Sequence, residues 1–306
     1  MDVRALRYCL AIASLGSFTR AAESLHVAQP ALSVAIKKLE AELGVTLFVR
    51  KARRVEPTVE GAILLQRAER IFAEIDSAIT QIADVVELRT GVVRVGMPPM
   101  FGLAYFPELI AGFHAAYPGI TMVIIEGSAD EIGRLLDLGT IDLALLESRR
   151  VRSQWRQIVV GKEEMVLCVS PGHALASRKS VRADELDKLP MALFSGSFIQ
   201  RDIFDQLCRK AGAKPEIVLQ SNSVALIRRA AADGVGAATL LRSLASAAPP
   251  LVALSFEPRQ ILHFALCWRD DRYLSKANHA LVEFATRTGR RKPRPAASRA
   301  SLIDAQ

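Results

Sequence analysis

Between Val3 and Thr58 apolar residues recur every three or four positions in short, interrupted runs. Val3, Leu6, Leu10 and Ala13 predict one helix. Phe18, Ala21, Ala22 and Leu25 predict a second, with Ser17 as its cap. The pattern pauses at "LHV" and resumes at Gln29-Pro30, where a proline suits the first helical turn because its missing N–H would have no partner there. His26 is the residue best able to take the positive φ of the intervening turn. Leu32, Ile36 and Leu39 then form an inward stripe, leaving Gln29, Ser33 and Lys37 outside on one face at spacing four. After these helices "VTLFVRKARRVEPT" reads as two short strands flanking a basic tip.

From Ala62 to Arg89 there is neither glycine nor proline, and Leu64, Ala68, Ile71, Ile75, Ala78, Ile82 and Val85 alternate by four and three. That is a coiled-coil seam, on a helix spanning roughly 40 Å. Beyond it the period changes. "VVRVG", "ITMVIIEG" and "IDLALLE" read as strands separated by the helical stretches "GLAYFPELIAGFHAAYP" and "ADEIGRLLDLG". A second series, "EMVLCVSPGHAL", "PMALFSG", "RDIFDQLCRKAG", "EIVLQS" and "VALIRRAAADGVGAA", repeats the alternation, and "ILHFALCW" with a last helix, "SKANHALVEFATRTG", closes it. Alternating strands and helices predict a parallel sheet covered on both faces.

The fold class predicted is therefore α+β and α/β multidomain. Its parts are a winged helix-turn-helix over residues 1–60, a linker helix over 61–89, one α/β subdomain over 90–160 plus 263–289, a second over 161–262, and a basic tail over 290–306. The tail is Pro/Ala/Ser-rich and reads as disordered.

Charge sharpens this picture. The chain has 306 residues and a net charge of +8. Residues 1–58 hold nine Lys/Arg against five Asp/Glu, and Arg287 to Gln306 hold six basic residues against Asp304. A polyanionic partner fits that distribution. Two short helices joined by a tight turn, the second with a polar outward face, form a helix-turn-helix for double-stranded DNA, and the basic hairpin serves as a wing. Four scattered cysteines show no Cys-x-x-Cys spacing and read as reduced thiols of a cytoplasmic protein. The apolar run "YCLAIASLG" is too short for an export signal, and no stretch approaches a membrane span. No catalytic constellation, metal cluster or cofactor motif emerges: "GVGAAT" follows a helical pattern instead of a strand, and "FSGSF" is no nucleophile elbow.

Ligands in open α/β sheets sit at the carboxyl ends of strands, against helix N-termini. That rule selects residues 97–101, with Pro98, Pro99, Met100 and Phe101 among them, then Ser128, then Phe194, Ser195, Ser197 and Arg201, then Asn222. Proline, methionine and phenylalanine at the first corner predict an apolar or aromatic small-molecule effector. Leu241-Arg242-Ser243 acquires no role from the sequence.

The stretch "SFTRAAESLHVAQPALSVAIKKLEAELGVTLFVR", followed by "PTVEG", resembles the winged helix-turn-helix of the LysR-type transcriptional regulators, and the resemblance continues along nearly the whole chain. It implies DNA contacts by Gln29, Pro30, Ser33 and Lys37 on the helix, and by Arg50, Arg53, Arg54 and Thr58 near the wing. It also implies a homodimer through the linker helix, a homotetramer, and RNA polymerase as a further candidate partner. The effector domain it implies is similar in fold to periplasmic binding proteins, with the chain crossing between halves near Val160–Glu163 and returning near Gln260–His263. The pattern departs at Ala28, where the family usually has serine, and at Val34, where it often has arginine. The alternative reading is a solute-binding sensor whose helical head only dimerises.

Overall fold

The structure, a computed structural model, describes residues 2–51, 54–85, 91–196, 198–246 and 249–289. Arg53, Ser197 and the 290–306 tail lie outside the described residues. The chain forms two compact units, one of Met1–Glu87 with Asp137–Thr140 and one of Leu88–Leu136 with Ile141–Gln306.

The first unit opens with α1 (Val3–Leu15), capped by the Asp2 carboxylate, which accepts from the Arg4 N–H at 2.9 Å. Its buried stripe is Ala5, Leu6, Cys9 and Ile12. The expected Val3 is 46% exposed and Leu10 and Ala13 are half-buried, because Cys9 and Ile12 complete the inward face instead. Helix α2 (Phe18–Ser24) starts at Ser17, whose Oγ accepts from the Arg20 N–H. His26 has φ 54°, as its place in the turn requires. Helix α3 (Gln29–Leu43) has Pro30 in its first turn and no side-chain cap at Ala28. It ends at Gly44, whose φ of 71° favours a residue without a Cβ. Strands β1 (Phe48–Lys51) and β2 (Arg54–Pro57) pair antiparallel. The long helix α4 (Val59–Val85) begins five residues before the apolar repeat, and the expected stretch from 86 to 89 is not among the described residues. Ala21, Ala22, Leu32, Ile36, Leu39, Leu47 and Phe48 make the core of this unit, with Leu64 and Leu65 of α4 against it.

In the second unit the first series is β3 (Gly91–Met97), α5 (Pro99–Ala116), β4 (Ile120–Glu126), α6 (Ala129–Leu138) and β5 (Leu143–Glu147). Then come β6 (Trp155–Val169), β7 (Ser180–Arg182), β8 (Pro190–Leu193), α7 (Ile199–Ala211), β9 (Glu216–Gln220), α8 (Val224–Ala232), β10 (Ala237–Leu241) and a single helical turn, α9 (Arg242–Ala245). Strand β11 (Val252–Arg269) and helix α10 (Lys276–Gly289) finish it.

The expected parallel sheet is instead mixed, in the order β4-β3-β5-β11-β6-β10-β8-β9, with β7 on β11. The outer groups β4-β3-β5 and β10-β8-β9 are parallel. The central pair β6 and β11 runs antiparallel to each other, and each is antiparallel to its outer neighbour. Polar interruptions hid their length. "WRQIVVGKE" alternates too irregularly to read as strand, and Pro258 breaks "VALSFEPRQ". In the structure the ladder passes these points by register shifts, between Ser255 and Gln260 and between Phe264 and Ala265.

Arg242, unexplained by the sequence, sits at the mouth of β10. Its Nε donates to Glu164 Oε2 at 2.8 Å and a terminal nitrogen donates to Ser255 Oγ at 2.7 Å, tying β10 to β6 and β11. Burial alone would raise the Glu164 pKa. The hydrogen bonds from Arg242 and Ser255 and the charges of Arg242 and Arg259 outweigh it, so the net direction is down from 4.5. A carboxylate lowered by folding stabilises above its unfolded pKa and loses that contribution as pH falls through the folded value. Thermal melts should therefore show Glu164→Gln less stable than the wild type at neutral pH, with the gap closing below about pH 4. A gap independent of pH would disprove this role for Glu164.

Candidate DNA interface and effector cleft

Residues on a helix step by about 100°. On α3 that turns Leu32, Ile36 and Leu39 inward, all at most 2% exposed. It turns Pro30, Val34, Lys37, Lys38 and Ala41 outward, and all five are exposed. Gln29 and Ser33 lie on the flank of this face, half-buried. Gln29 Nε2 donates to Ser33 Oγ at 2.9 Å, which pre-sets both side chains and leaves the serine O–H and the amide oxygen to face outward groups.

At the wing, Arg54 is exposed on β2 and Lys51 pairs with Glu56 at 2.8 Å. Arg50 pairs with Val55 through the backbone. Thr58 has a structural occupation that the sequence did not reveal. Its O–H donates to the Thr46 carbonyl at 2.7 Å and its Oγ1 accepts from the Gly61 N–H at 3.0 Å. The single hydroxyl proton is committed, so in this conformation Thr58 has none to give a phosphate. The "PTVEG" stretch thus makes the joint between the wing and α4.

In the second unit, the helix expected from Gly102 begins at Pro99, so Met100 and Phe101 lie in its first turn and not in a loop. Both are 0% exposed, and the Phe101 ring stacks on Phe264 with centroids 4.6 Å apart. Gln200, at the start of α7 and itself 0% exposed, donates through Nε2 to Met100 Sδ at 3.3 Å. The described polar candidates are hydrogen-bonded within the chain. Ser128 Oγ accepts from the Glu131 N–H and caps α6. Ser195 donates to Asn222 Oδ1. Arg201 holds Asp205 at 2.8 Å and the Phe194 carbonyl at 3.0 Å. The Phe194 ring is buried against Phe198.

A cavity of about 10 Å³ lies where the strand ends converge, lined by Pro98, Phe101, Ala129, Glu147, Arg150, Phe198 and Ile199. Pro98 and Phe101 of these were among the sequence candidates. Glu147 ends β5 and Arg150 follows it in the next turn, so the same strand-end rule points to both. Glu147 is 1% exposed and accepts from both the backbone N–H and Nε of Arg149. Arg150 pairs with Asp202 of α7, closing the cavity from one series of elements to the other.

A winged helix-turn-helix followed by a long helix and an α/β unit with a cleft at its strand ends defines a class: DNA-binding regulators that carry an effector domain. Comparison with known proteins gives the family. Residues 3–62 match the model of the bacterial regulatory helix-turn-helix proteins of the lysR family, and residues 87–290 match the LysR substrate binding domain. The chain is 32% identical over 286 residues to the HTH-type transcriptional regulator YwbI of Bacillus subtilis, covering 92% of this chain and 95% of that protein. It is 31% identical over 245 residues to a hydrogen peroxide-inducible genes activator of Dickeya chrysanthemi, covering 80% of each. Among solved structures, full-length CbnR complexed with target DNA superposes with a TM-score of 0.72 at 22% identity, covering 94% of this chain and all of that one (100%). A full-length OxyR variant from Pseudomonas aeruginosa gives 0.68 at 25% identity, with 95% of each chain covered. The chain belongs to the LysR family: it is a DNA-binding transcriptional regulator with an effector-binding domain. No described helix is long and apolar enough to cross a membrane.

Proposed function

We propose that two copies of this chain pair through α4 and present two α3 helices to an interrupted palindrome, and that a small apolar or aromatic molecule in the α/β cleft changes that presentation. The observation that carries the reading is the outward face of α3, exposed along its length while its opposite side is fully buried. Lys37 reaches base edges or phosphate, Gln29 and Ser33 supply hydrogen bonds from the flank, and Pro30 starts the helix at the DNA. Arg54, with Arg50 and Arg53, supplies backbone charge from the wing.

Pairing through α4 draws support from its second half, where Ile75, Ile79 and Ile82 are 39%, 61% and 68% exposed. A stripe of isoleucines left in water stabilises a coiled coil when a second copy covers it. A homotetramer would add contacts through the α/β units, and RNA polymerase is the partner such a regulator would address at a promoter.

An apolar effector is favoured because the polar candidates around the cleft are already hydrogen-bonded within the chain. Pro98, Phe101, Phe198 and Ile199 supply the apolar walls, and Pro99, Met100, Ser128, Phe194, Ser195, Arg201 and Asn222 stand on the surrounding elements. A 10 Å³ space holds about one water, so a larger ligand must displace side chains as it enters. Footprinting on the chain's own promoter region, with and without candidate metabolites, tests the whole reading. Protection of two half-sites that shifts with an aromatic compound is expected. Sequence-independent protection, unaltered by any ligand, would refute it.

Some relatives bear the name hydrogen peroxide-inducible genes activator, so a thiol response needs weighing. All four cysteines are buried. Burial pushes the Cys9, Cys168 and Cys267 thiols up to about 12 and Cys208 up to about 11. The reactive species is the thiolate, which is scarce at such values. The native chain is expected to leave all four thiols unlabelled by a disulfide reagent at pH 8 and to expose all four in denaturant. Rapid labelling of a native thiol would reopen a redox role.

A further inference from the structure

Val34 is 65% exposed, although it is apolar and stands near the middle of the outward face of α3. Measured by helical steps, it points almost directly away from the buried Leu32, Ile36 and Leu39. Pro30, one turn earlier on the same side, is also exposed and apolar. Side chains four apart on a helix are neighbours, so Pro30 and Val34 form a small apolar strip. Lys37 and Lys38 flank it in the next turn. The strip sits within the first two turns of α3, the part of a recognition helix that meets base edges.

An apolar side chain has no hydrogen bond to offer a base. It discriminates only where the groove presents an apolar group, and the major groove presents one, the C5 methyl of thymine. We infer that Val34, with Pro30 beside it, selects thymine at one fixed position in each half-site by covering that methyl. The inference rests on α3 being the reading helix and goes further, naming a base and the residue that chooses it. Against a polar base edge the same valine would leave donors or acceptors unpaired, which is how it rejects cytosine.

The test uses the full chain. Selection from random duplexes first gives the preferred half-site, and each thymine in it is then replaced singly by deoxyuridine, which removes only the methyl. One thymine per half-site should prove sensitive, with binding weakened about fourfold, the worth of one buried methyl-sized group. Val34→Ala should bind the thymine duplex about fourfold more weakly than wild type and show under twofold further loss on the deoxyuridine duplex. Alanine is the better helix former and Val34 is exposed, so the variant should fold; circular dichroism checks it. A preferred site without any methyl-sensitive thymine overturns the inference, as does sensitivity that survives in Val34→Ala. Failure to select any sequence is the separate outcome in which α3 does not read DNA, and the earlier proposal falls with it.

Discussion

Gly61→Ala is expected to abolish specific DNA binding and to destabilise the first unit by about 3 kcal/mol. A Cβ at this position would stand 2.1 Å from the Leu47 carbonyl oxygen, 3.1 Å from its carbon and 3.3 Å from the Pro57 Cβ. The obstacle is backbone, held by the Thr58 N–H, which donates to the same Leu47 oxygen at 2.9 Å. It cannot turn away as a side chain would. Relief requires α4 to lift from the wing, which also breaks the Thr58 hydrogen bonds to Thr46 and Gly61. Denaturant unfolding of the variant, followed alongside a gel shift, measures both effects. Wild-type affinity and stability in Gly61→Ala would show that the close approach is not as described.

Phe101→Ala should cost the second unit about 3–5 kcal/mol, the usual loss for a buried phenylalanine. The side chain is 0% exposed, stacks on Phe264 and borders the existing cavity, so truncation joins the new void to it. The enlarged space has apolar walls from Pro98, Phe198 and Ile199, and such voids accept small aromatic molecules. Indole or benzene should raise the melting temperature of the variant while leaving wild type unchanged. A loss smaller than about 1 kcal/mol would mean that Phe101 does not hold this core together.

Much of the first unit was legible because its signals are local. Ser17, His26, Pro30 and the Leu32-Ile36-Leu39 stripe each act within a turn or two, and the structure uses them as read. The α1 stripe was misplaced because a free cysteine packs as an apolar residue and its pattern was not counted so. The central strands escaped notice for a different reason. Their regularity lies in pairing with one another, across about a hundred residues of sequence, and not in any period along either strand. Of the residues lining the small cavity, Pro98 and Phe101 were legible in the sequence, and Glu147 and Arg150 were not. A strand-end rule marks a corner, yet whether Arg201 faces a ligand or Asp205 depends on distances no sequence carries. Thr58 shows the same limit: its neighbours in the motif suggested contact with DNA, and its hydroxyl turned out to hold a joint.

Strands β6 and β11 pass unbroken from one end of their ladder to the other, and their register shifts only locally. Two lobes joined by slack tethers could gape like a clamshell. Lobes that share a hydrogen-bonded ribbon move instead by bending or twisting the two strands together, which leaves the ladder between them intact. Any relative motion of the lobes is therefore a deformation of that ribbon as one piece.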